Sequence, residues 1–344
     1  MKIILASTMA PFVKGGARNI VDWLQFNLVS DGHEVLKLYL PQRDDPDVLL
    51  RQCKLFEKID LPKSDLLVTF RPQSHLLTHH NKKVWFIHHI RAYYDLWLSK
   101  FRGFNITSDI EDVRRNLHQI DSRALNEAQE VFSNSKIVSE RLKLFNNIEA
   151  KVLYPPLKTM DVHESDYSGN YFIYVSRVER HKRQDLVIEA MQFVDKSIRL
   201  VLIGKSVDLE YTIFLRKLIE ELRLENRVDF KDEWISEDRK NELISKSIGL
   251  IYCPIDEDSY GYPVLEASLR FKPVITCIDS GGTLEIVSHN ETGWVADSLP
   301  ESIAMGMNIL SDSSTLRNKL VNNMLKRIYD CKISWKYVLD SLLA

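Results

Sequence analysis

Short apolar runs alternate along the chain with loops and amphipathic segments, and the spacing of these runs predicts the elements. A strand from Lys2 to Ala6 leads into a loop with Gly15 and Gly16, then a helical pattern from Arg18 to Ser30 stopped by Asp31-Gly32, then a strand from Glu34 to Leu40. Strand, glycine loop, helix and strand in that order make a βαβ unit, and a glycine loop at the carboxyl end of its first strand is where doubly wound sheets bind ligands. The spacing is not GxGxxG, so a dinucleotide is not indicated. Leu66 to Phe70 and Val84 to His88 read as further buried strands, joined by the polar, turn-like RPQSHLLTHHNKK. A helix is expected from Ile110 to Glu130, a strand over Val131 to Ser135, a helix from Ile137 to Phe145 and a strand from Lys151 to Tyr154.

Pro155-Pro156 marks a boundary, and the polar stretch from Leu157 to Asn170 reads as a linker. The alternation then restarts. Strands are expected at Tyr171 to Val175, Arg199 to Ile203, Arg227 to Phe230, Gly249 to Cys253 and Val274 to Ile278. Helices are expected at Gln184 to Phe193, Tyr211 to Leu222 and Ser236 to Ser247, the last capped by Ser236 with Glu237 and Asp238 in its first turn. The implied organisation is two Rossmann-like α/β domains, residues 1–157 and 158–330, each a doubly wound parallel sheet, and a terminal helix in 331–344.

The stretch from Tyr252 to Val287 concentrates candidate chemistry. An acidic cluster, Asp256, Glu257 and Asp258, leads into an aromatic-glycine turn at Tyr260, Gly261 and Tyr262, and Pro263 opens an apolar helix from Val264 to Phe271 that carries Glu266. Proline suits a first helical turn because its missing N–H would be unpaired there anyway. A helix start after a glycine turn offers N–H groups to a ligand rich in acceptors, while carboxylates eight residues apart suit hydroxyls better than phosphate. From these residues alone, an acidic turn before an ordinary amphipathic helix fits equally well.

Composition narrows the classes. At 344 residues, with 44% hydrophobic and 27% charged residues, the chain can bury two cores, and no apolar run reaches the length of a membrane span. The start, MKIILASTMAPFV, reads as a first strand and not as a signal peptide, so a cytoplasmic location is expected. The net charge of -2 argues against nucleic-acid binding. Residues 1–155 hold 22 Lys and Arg against 18 Asp and Glu, the remainder 24 against 30. The mildly basic first half suits an anionic acceptor or peripheral contact with the inner face of an anionic membrane, and scattered solvated charge explains it as well. Four scattered cysteines imply no disulfide framework, and the pairs His79-His80 and His88-His89 lack the recurring carboxylates or thiols that a zinc site needs, so no metal site is expected.

Taken in order, GGA at 15–17, FSNS at 132–135, YPP at 154–156, VSRVERHK at 175–182, DSYGYPVLEAS at 258–268, SGGTLEIV at 280–287 and ETGW at 291–294 resemble the family-4 retaining glycosyltransferases of the GT-B architecture, the glycosyl transferases group 1. The resemblance covers nearly the whole chain. It implies two Rossmann-like domains facing a cleft, the acceptor mainly on the first and the nucleotide sugar mainly on the second, a terminal helix that returns to the first domain, and transfer of a hexose-type sugar from a nucleotide-diphosphate sugar to a glycan or lipid-linked acceptor, as in surface polysaccharide or glycolipid synthesis. Neither a cofactor nor a metal is implied. Carried over position by position, Arg177 and Lys182 would hold the donor diphosphate, and Asp258 and Glu266 would contact donor sugar and nucleotide ribose. A histidine at the end of an N-domain strand would face the transferred sugar, which its spacing to Arg91 assigns to His88, with His89 the rival. Gly15, Gly16 and Gly204 would approach the donor through backbone, together with the turn and helix start Tyr260, Gly261, Tyr262, Pro263, Val264 and Leu265. Trp234, after the strand ending at Phe230, is a candidate for lining the base, though a core aromatic would serve the same pattern.

The family pattern is broken at three places. Its usual first glutamate is Asp258 here, with Glu257 one residue off the spacing. Arg18 follows the glycine loop where an acidic residue is common, and the second strand of the later domain is followed by Gly204 alone. A GT-B epimerase or phosphorylase, or a non-catalytic nucleotide-sugar-binding partner subunit, would share much of this pattern, and a nicotinamide-dependent dehydrogenase is disfavoured by the missing glycine fingerprint.

Overall fold

The structure, a computed structural model, describes residues 1–9, 16–99, 102–163 and 166–344. They divide into two compact units, Met1–Lys158 with Ile333–Ala344, and Thr159–Lys332.

Unit 1 is built on strands β1 (Lys2–Met9), β2 (Glu34–Pro41), β3 (Leu66–Thr69), β4 (Lys82–Phe86), β5 (Glu130–Ser133) and β6 (Lys151–Val152), all parallel in the order β2-β1-β3-β4-β5-β6. Its helices are α1 (Gly16–Ser30), α2 (Pro46–Phe56), α3 (Ser108–Asn126) and α4 (Lys136–Asn146). Ile3 through Ala6 and all of β3 and β4 are buried, as parallel strands covered on both faces must be. One core gathers Ile4, Leu67, Leu76, Tyr93, Tyr94 and Leu117, and a second gathers Val84, Phe86, Val131, Val138 and Leu142. Burying each such side chain contributes about 1.5–3 kcal/mol.

The expected strand from Val84 to His88 lies two residues earlier. Lys82 and Lys83 take its first positions, with Lys83 opposite Glu130 and bonded to it at 2.9 Å, so the strand ends at Phe86 and both histidines lie beyond it. The same pairing draws Glu130 into β5, and the helix expected to reach it ends at Asn126. The α4 helix is bounded at both ends: the Ser135 hydroxyl accepts from the Val138 N–H at 3.1 Å, and the left-handed backbone of Asn147 turns the chain at φ 55°.

Unit 2 repeats the plan. Strands β7 (Tyr171–Val175), β8 (Arg199–Ile203), β9 (Val228–Lys231), β10 (Gly249–Ile251), β11 (Val274–Cys277) and β12 (Trp294–Ala296) form a parallel sheet in the order β12-β11-β10-β7-β8-β9. Between them run α5 (Gln184–Ala190), α6 (Leu209–Glu221), α7 (Glu237–Lys246) and α8 (Tyr262–Ser268), and α9 (Pro300–Asp312) and α10 (Ser314–Asp330) follow. The α5 helix stops three residues short of the expected Phe193, because successive turns bond Met191 to Ile188 and Phe193 to Ala190. Ser236 caps α7 by accepting from the Arg239 N–H at 3.2 Å. Helices α2, α9 and α10 were not anticipated from the pattern. The last helix, α11 (Trp335–Leu343), belongs to unit 1, where the Trp335 indole donates to the Leu157 carbonyl at 2.6 Å. Among the described residues no helix is long and apolar enough to cross a membrane.

In each sheet the chain builds outward on one side and then returns to build on the other. The reversal lies between β1 and β3 in unit 1 and between β7 and β10 in unit 2. Loops leaving the carboxyl ends of the strands at such a reversal diverge and open a crevice, the usual ligand position in open α/β sheets.

Candidate functional site

At the reversal in unit 2, the loop after β7 carries Arg177 and Lys182 and the loop after β10 carries Glu257. The β7 loop can run close to its neighbour because Gly204, at the end of β8, has no side chain: a Cβ there would stand 1.6 Å from the Ser176 carbonyl oxygen. Gln184 ties the loop down with its amide, donating to the Ser176 hydroxyl and the Arg177 carbonyl, each at 2.9 Å. Arg183, at φ 54°, clamps three segments. Its Nε donates to the Cys253 carbonyl at 2.7 Å, and its outer amines reach the Pro254 carbonyl at 3.0 Å and both oxygens of Asp279 at 2.8 and 2.6 Å. Arg183 is therefore a buried structural residue, and Arg180, on the same loop, lies over Tyr211 and pairs with Asp208 at 3.3 Å.

Lys182 is buried, and its ammonium donates to Glu257 and lies 3.4 Å from the Tyr252 hydroxyl, which itself donates to Glu257 at 2.9 Å. Burial pushes the Glu257 carboxyl up, but the charge and hydrogen bond of Lys182 and the Tyr252 hydroxyl outweigh it and hold the group at about 2. Arg177 is half-exposed and contacts Glu179 at 2.9 Å. Burial raises the Glu179 carboxyl against the opposing pull of Arg177 and Lys182. Both cations assigned to diphosphate thus stand beside carboxylates, and the acidic residue beside Lys182 is Glu257. Asp258, the next residue, is partly buried.

Gly261 makes the turn into α8 at φ 79° and packs on Tyr252: a Cβ would come within 2.4 Å of that ring. Tyr260 is buried edge-on to Tyr262, their centroids 6.4 Å apart. Pro263 lies in the first turn of α8, and Val264 and Leu265 point into the core, so only backbone groups of these residues could meet a ligand. One of those is already used, since the Val264 N–H donates to the Gly261 carbonyl at 3.1 Å.

Glu266, also on α8, is buried and bonded through Oε1 to Lys240 of α7 at 2.8 Å. Its Oε2 has no partner among the described residues. Burial raises the Glu266 carboxyl, with Lys240 opposing. A buried carboxylate oxygen held by a lysine on one side and unengaged on the other is suited to accept from ligand hydroxyls. Trp234 is exposed in the loop after β9, so it is not a core aromatic.

His88 lies in unit 1. Its Nδ1 donates to the His89 carbonyl at 2.6 Å, and burial, with the nearby Arg71 charge, depresses its pKa to about 3. The neutral ring therefore keeps Nε2 as an acceptor. His89 turns into the core: its Nε2 meets Asn146 at 2.8 Å, and its ring packs on Phe86 and Tyr94 at 4.8 and 4.1 Å. Gly16 opens α1, and Gly15 lies outside the described residues. Sequence reasoning missed Tyr252, Lys240 and the Arg183–Asp279 clamp. Tyr252 stood at the head of the stretch already singled out, whereas nothing in the spacing links Lys240 to Glu266. Among the described residues, no group of three His, Cys, Asp or Glu side chains is placed to hold a metal ion.

The family model for glycosyl transferases group 1 matches residues 158–327, which contain this constellation. Among curated proteins, the chain is 26% identical over 245 residues to an uncharacterized glycosyltransferase of Methanocaldococcus jannaschii, covering 65% of this chain and 61% of that one. It is 26% identical over 197 residues to the alpha-1,3/1,6-mannosyltransferase of Mus musculus, covering 50% and 46%. The chain thus spans about half to three-fifths of the length of these relatives. Among solved structures, Anabaena HepE in complex with UDP superposes with a TM-score of 0.69 at 14% identity, covering 99% of this chain and 100% of that one. The sucrose-phosphate synthase of Thermosynechococcus elongatus superposes at 0.75 with 15% identity, covering 97% and 96%. The family match thus covers just under half of the chain, residues 158–327, and the fold shared with these structures is GT-B.

Proposed function

We propose that the chain is a retaining, metal-independent glycosyltransferase that moves a hexose-type sugar from a nucleotide-diphosphate sugar to a glycan or lipid-linked acceptor. It would serve surface polysaccharide or glycolipid synthesis in the cytoplasm or at the inner face of the membrane. The observation that carries this reading is the buried Lys182–Glu257–Tyr252 cluster at the strand-order reversal of unit 2, with Arg177 on the same loop. Anabaena HepE, a structural neighbour, is solved with UDP and with UDP-glucose, which agrees with a nucleotide-sugar donor.

Departure of a nucleoside diphosphate builds negative charge on the phosphate oxygens, and cations fixed in a poorly solvated crevice stabilise it most. Lys182 provides such a cation, its ammonium held by Glu257 and Tyr252, and the guanidinium of Arg177 provides a second. Glu266 accepts from the ribose hydroxyls through Oε2. Glu257 or Asp258 orients the donor sugar, and the Nε2 of His88 offers an acceptor to a sugar hydroxyl. In the transfer, the bond from the anomeric carbon to the phosphate oxygen breaks as the bond to the acceptor oxygen forms on the same face. The acceptor's proton passes to a leaving phosphate oxygen. No carboxylate is required as a covalent nucleophile, unlike the paired-carboxylate double displacement of retaining hydrolases.

Proton NMR of the product tests this reading. An α-linked gluco-configured donor gives an α-linked product, and a β coupling or a trapped glycosyl-Asp258 or glycosyl-Glu266 adduct overturns the front-face path. Because side-chain cations neutralise the diphosphate, activity survives EDTA, and loss restored by Mg²⁺ or Mn²⁺ shows that the cation role is misassigned.

A further inference from the structure

In unit 1 the connection between the parallel neighbours β4 and β5 must leave from the carboxyl end of one and return to the amino end of the other. Its helix, α3, therefore starts on the carboxyl edge of the sheet, the edge that also bears His88. Along this helix from Glu111 to Gln119 lies an open cavity of about 370 Å³ lined by Trp97, Glu111, Arg114, Arg115, His118 and Gln119.

Arg114 is held in two ways. Its Nε donates to the Tyr93 carbonyl at 2.9 Å, and its guanidinium carbon lies 4.8 Å from the centre of the Trp97 ring. Its two outer amines have no partner among the described residues. The other lining groups are committed differently. Arg115 pairs with Asp112 at 3.0 Å, and His118 meets the same Tyr93 carbonyl through Nε2 at 2.9 Å while stacking on Tyr94 at 4.0 Å. Among the described lining residues, Glu111 is the one carboxylate. A stacked arginine can serve only to cover an aromatic face. Here, however, the fork is fixed before any ligand arrives, and an arginine with a fixed orientation loses little side-chain entropy when it binds two oxygens of one group. The Tyr94 ring that supports His118 also packs on His89, so the cavity wall and the residue next to His88 share one aromatic stack.

We propose that Arg114 anchors an oxyanion of the acceptor, a phosphate or a sugar carboxylate, in this cavity. The assignment to an acceptor rests on the transferase reading above, whereas the anion site itself does not.

The test uses the full chain labelled with ¹⁵N-arginine and titrated at constant ionic strength with methyl phosphate, methyl glucuronide and, as the neutral control, methyl glucoside. The Arg114 Nε resonance is identified by its absence in Arg114→Gln. The expected result is a saturable shift of that resonance with at least one anion and none with the glucoside. Affinity for the responding anion, measured by calorimetry in both proteins because Arg114→Lys lacks the reporting resonance, should weaken roughly tenfold or more in Arg114→Lys, which cannot keep both the carbonyl anchor and the fork. A response to phosphate alone assigns a phosphate-bearing acceptor, and a response to glucuronide alone assigns an acidic glycan. No saturable shift with either anion, or equal affinity in Arg114→Lys, overturns the site. A null titration alongside sugar transfer to a neutral acceptor refutes the site and leaves the transferase reading standing. Anion binding at Arg114 in a protein that turns over no nucleotide sugar does the reverse.

Discussion

At the carboxyl edge of unit 2 the buried polar groups are ions in pairs: Lys182 with Glu257, Arg183 with Asp279, Lys240 with Glu266. At the same edge of unit 1, His88 and His89 are imidazoles that burial keeps neutral, bonded to a carbonyl and an amide. Fixed cations suit a ligand on which charge develops. Neutral rings present lone pairs and N–H groups to hydroxyls without attracting counter-ions. The two sheets have the same number of strands and the same kind of reversal, so the difference lies in the loops, where one topology is given two electrostatic characters.

The sharpest way to break this contrast is at Lys182. Lys182→Ala should lower turnover by about 10² or more, and because it leaves Glu257 buried without its cation it should also cost about 3–5 kcal/mol in denaturant unfolding. Lys182→Met combined with Glu257→Gln should recover most of that stability and none of the activity. Recovery of both would make the pair merely structural. The pH dependence follows from Glu257. Its carboxyl is held at about 2, below its ordinary 4.5, so the stabilisation is present above pH 4.5 and is lost as the pH falls towards 2. In the double variant that acid-side loss should shrink.

The second comparison is within unit 1. His89→Ala removes a packed ring and the Asn146 partner and should cost about 2–4 kcal/mol, whereas His88→Ala should cost under about 1 kcal/mol yet lower turnover roughly 10- to 100-fold. The His89 pKa is depressed to about 4 from 6.5, so its share of stability is present above pH 6.5 and is lost as the pH falls towards 4, a window above that of Glu257. Equal activity losses in the two variants would erase the distinction between them.

The smallest effect is expected at Trp234. Its exposure predicts a stability change within about 0.5 kcal/mol on Trp234→Ala, and stacking on a nucleotide base predicts a KM for the donor raised roughly tenfold. An unchanged KM removes Trp234 from the donor site.

The sequence by itself determined the alternating α/β plan, the restart at Tyr171 after the double proline and the segments that carry the chemistry. Runs such as Ile3 to Ala6 suit central parallel strands buried on both faces, and Ser135, Asn147, Ser236 and Pro263 bound helices through local geometry that depends on a few neighbouring residues. Partnership across the fold was not legible there. That Lys182 meets Glu257, 75 residues away, or that Lys240 reaches Glu266, follows from which strands and helices lie side by side. Lys83 and Glu130 moved two strand boundaries for the same reason, through an ion pair between strands that no local pattern encodes. Likewise two adjacent histidines carry the same letter in sequence, and only the end of β4 at Phe86 and the packing of Tyr94 and Phe145 decide that His89 is a core residue and His88 is not. Tertiary structure decided these points because burial and pairing depend on the distances between segments, while periodicity and capping depend on the order of residues within one.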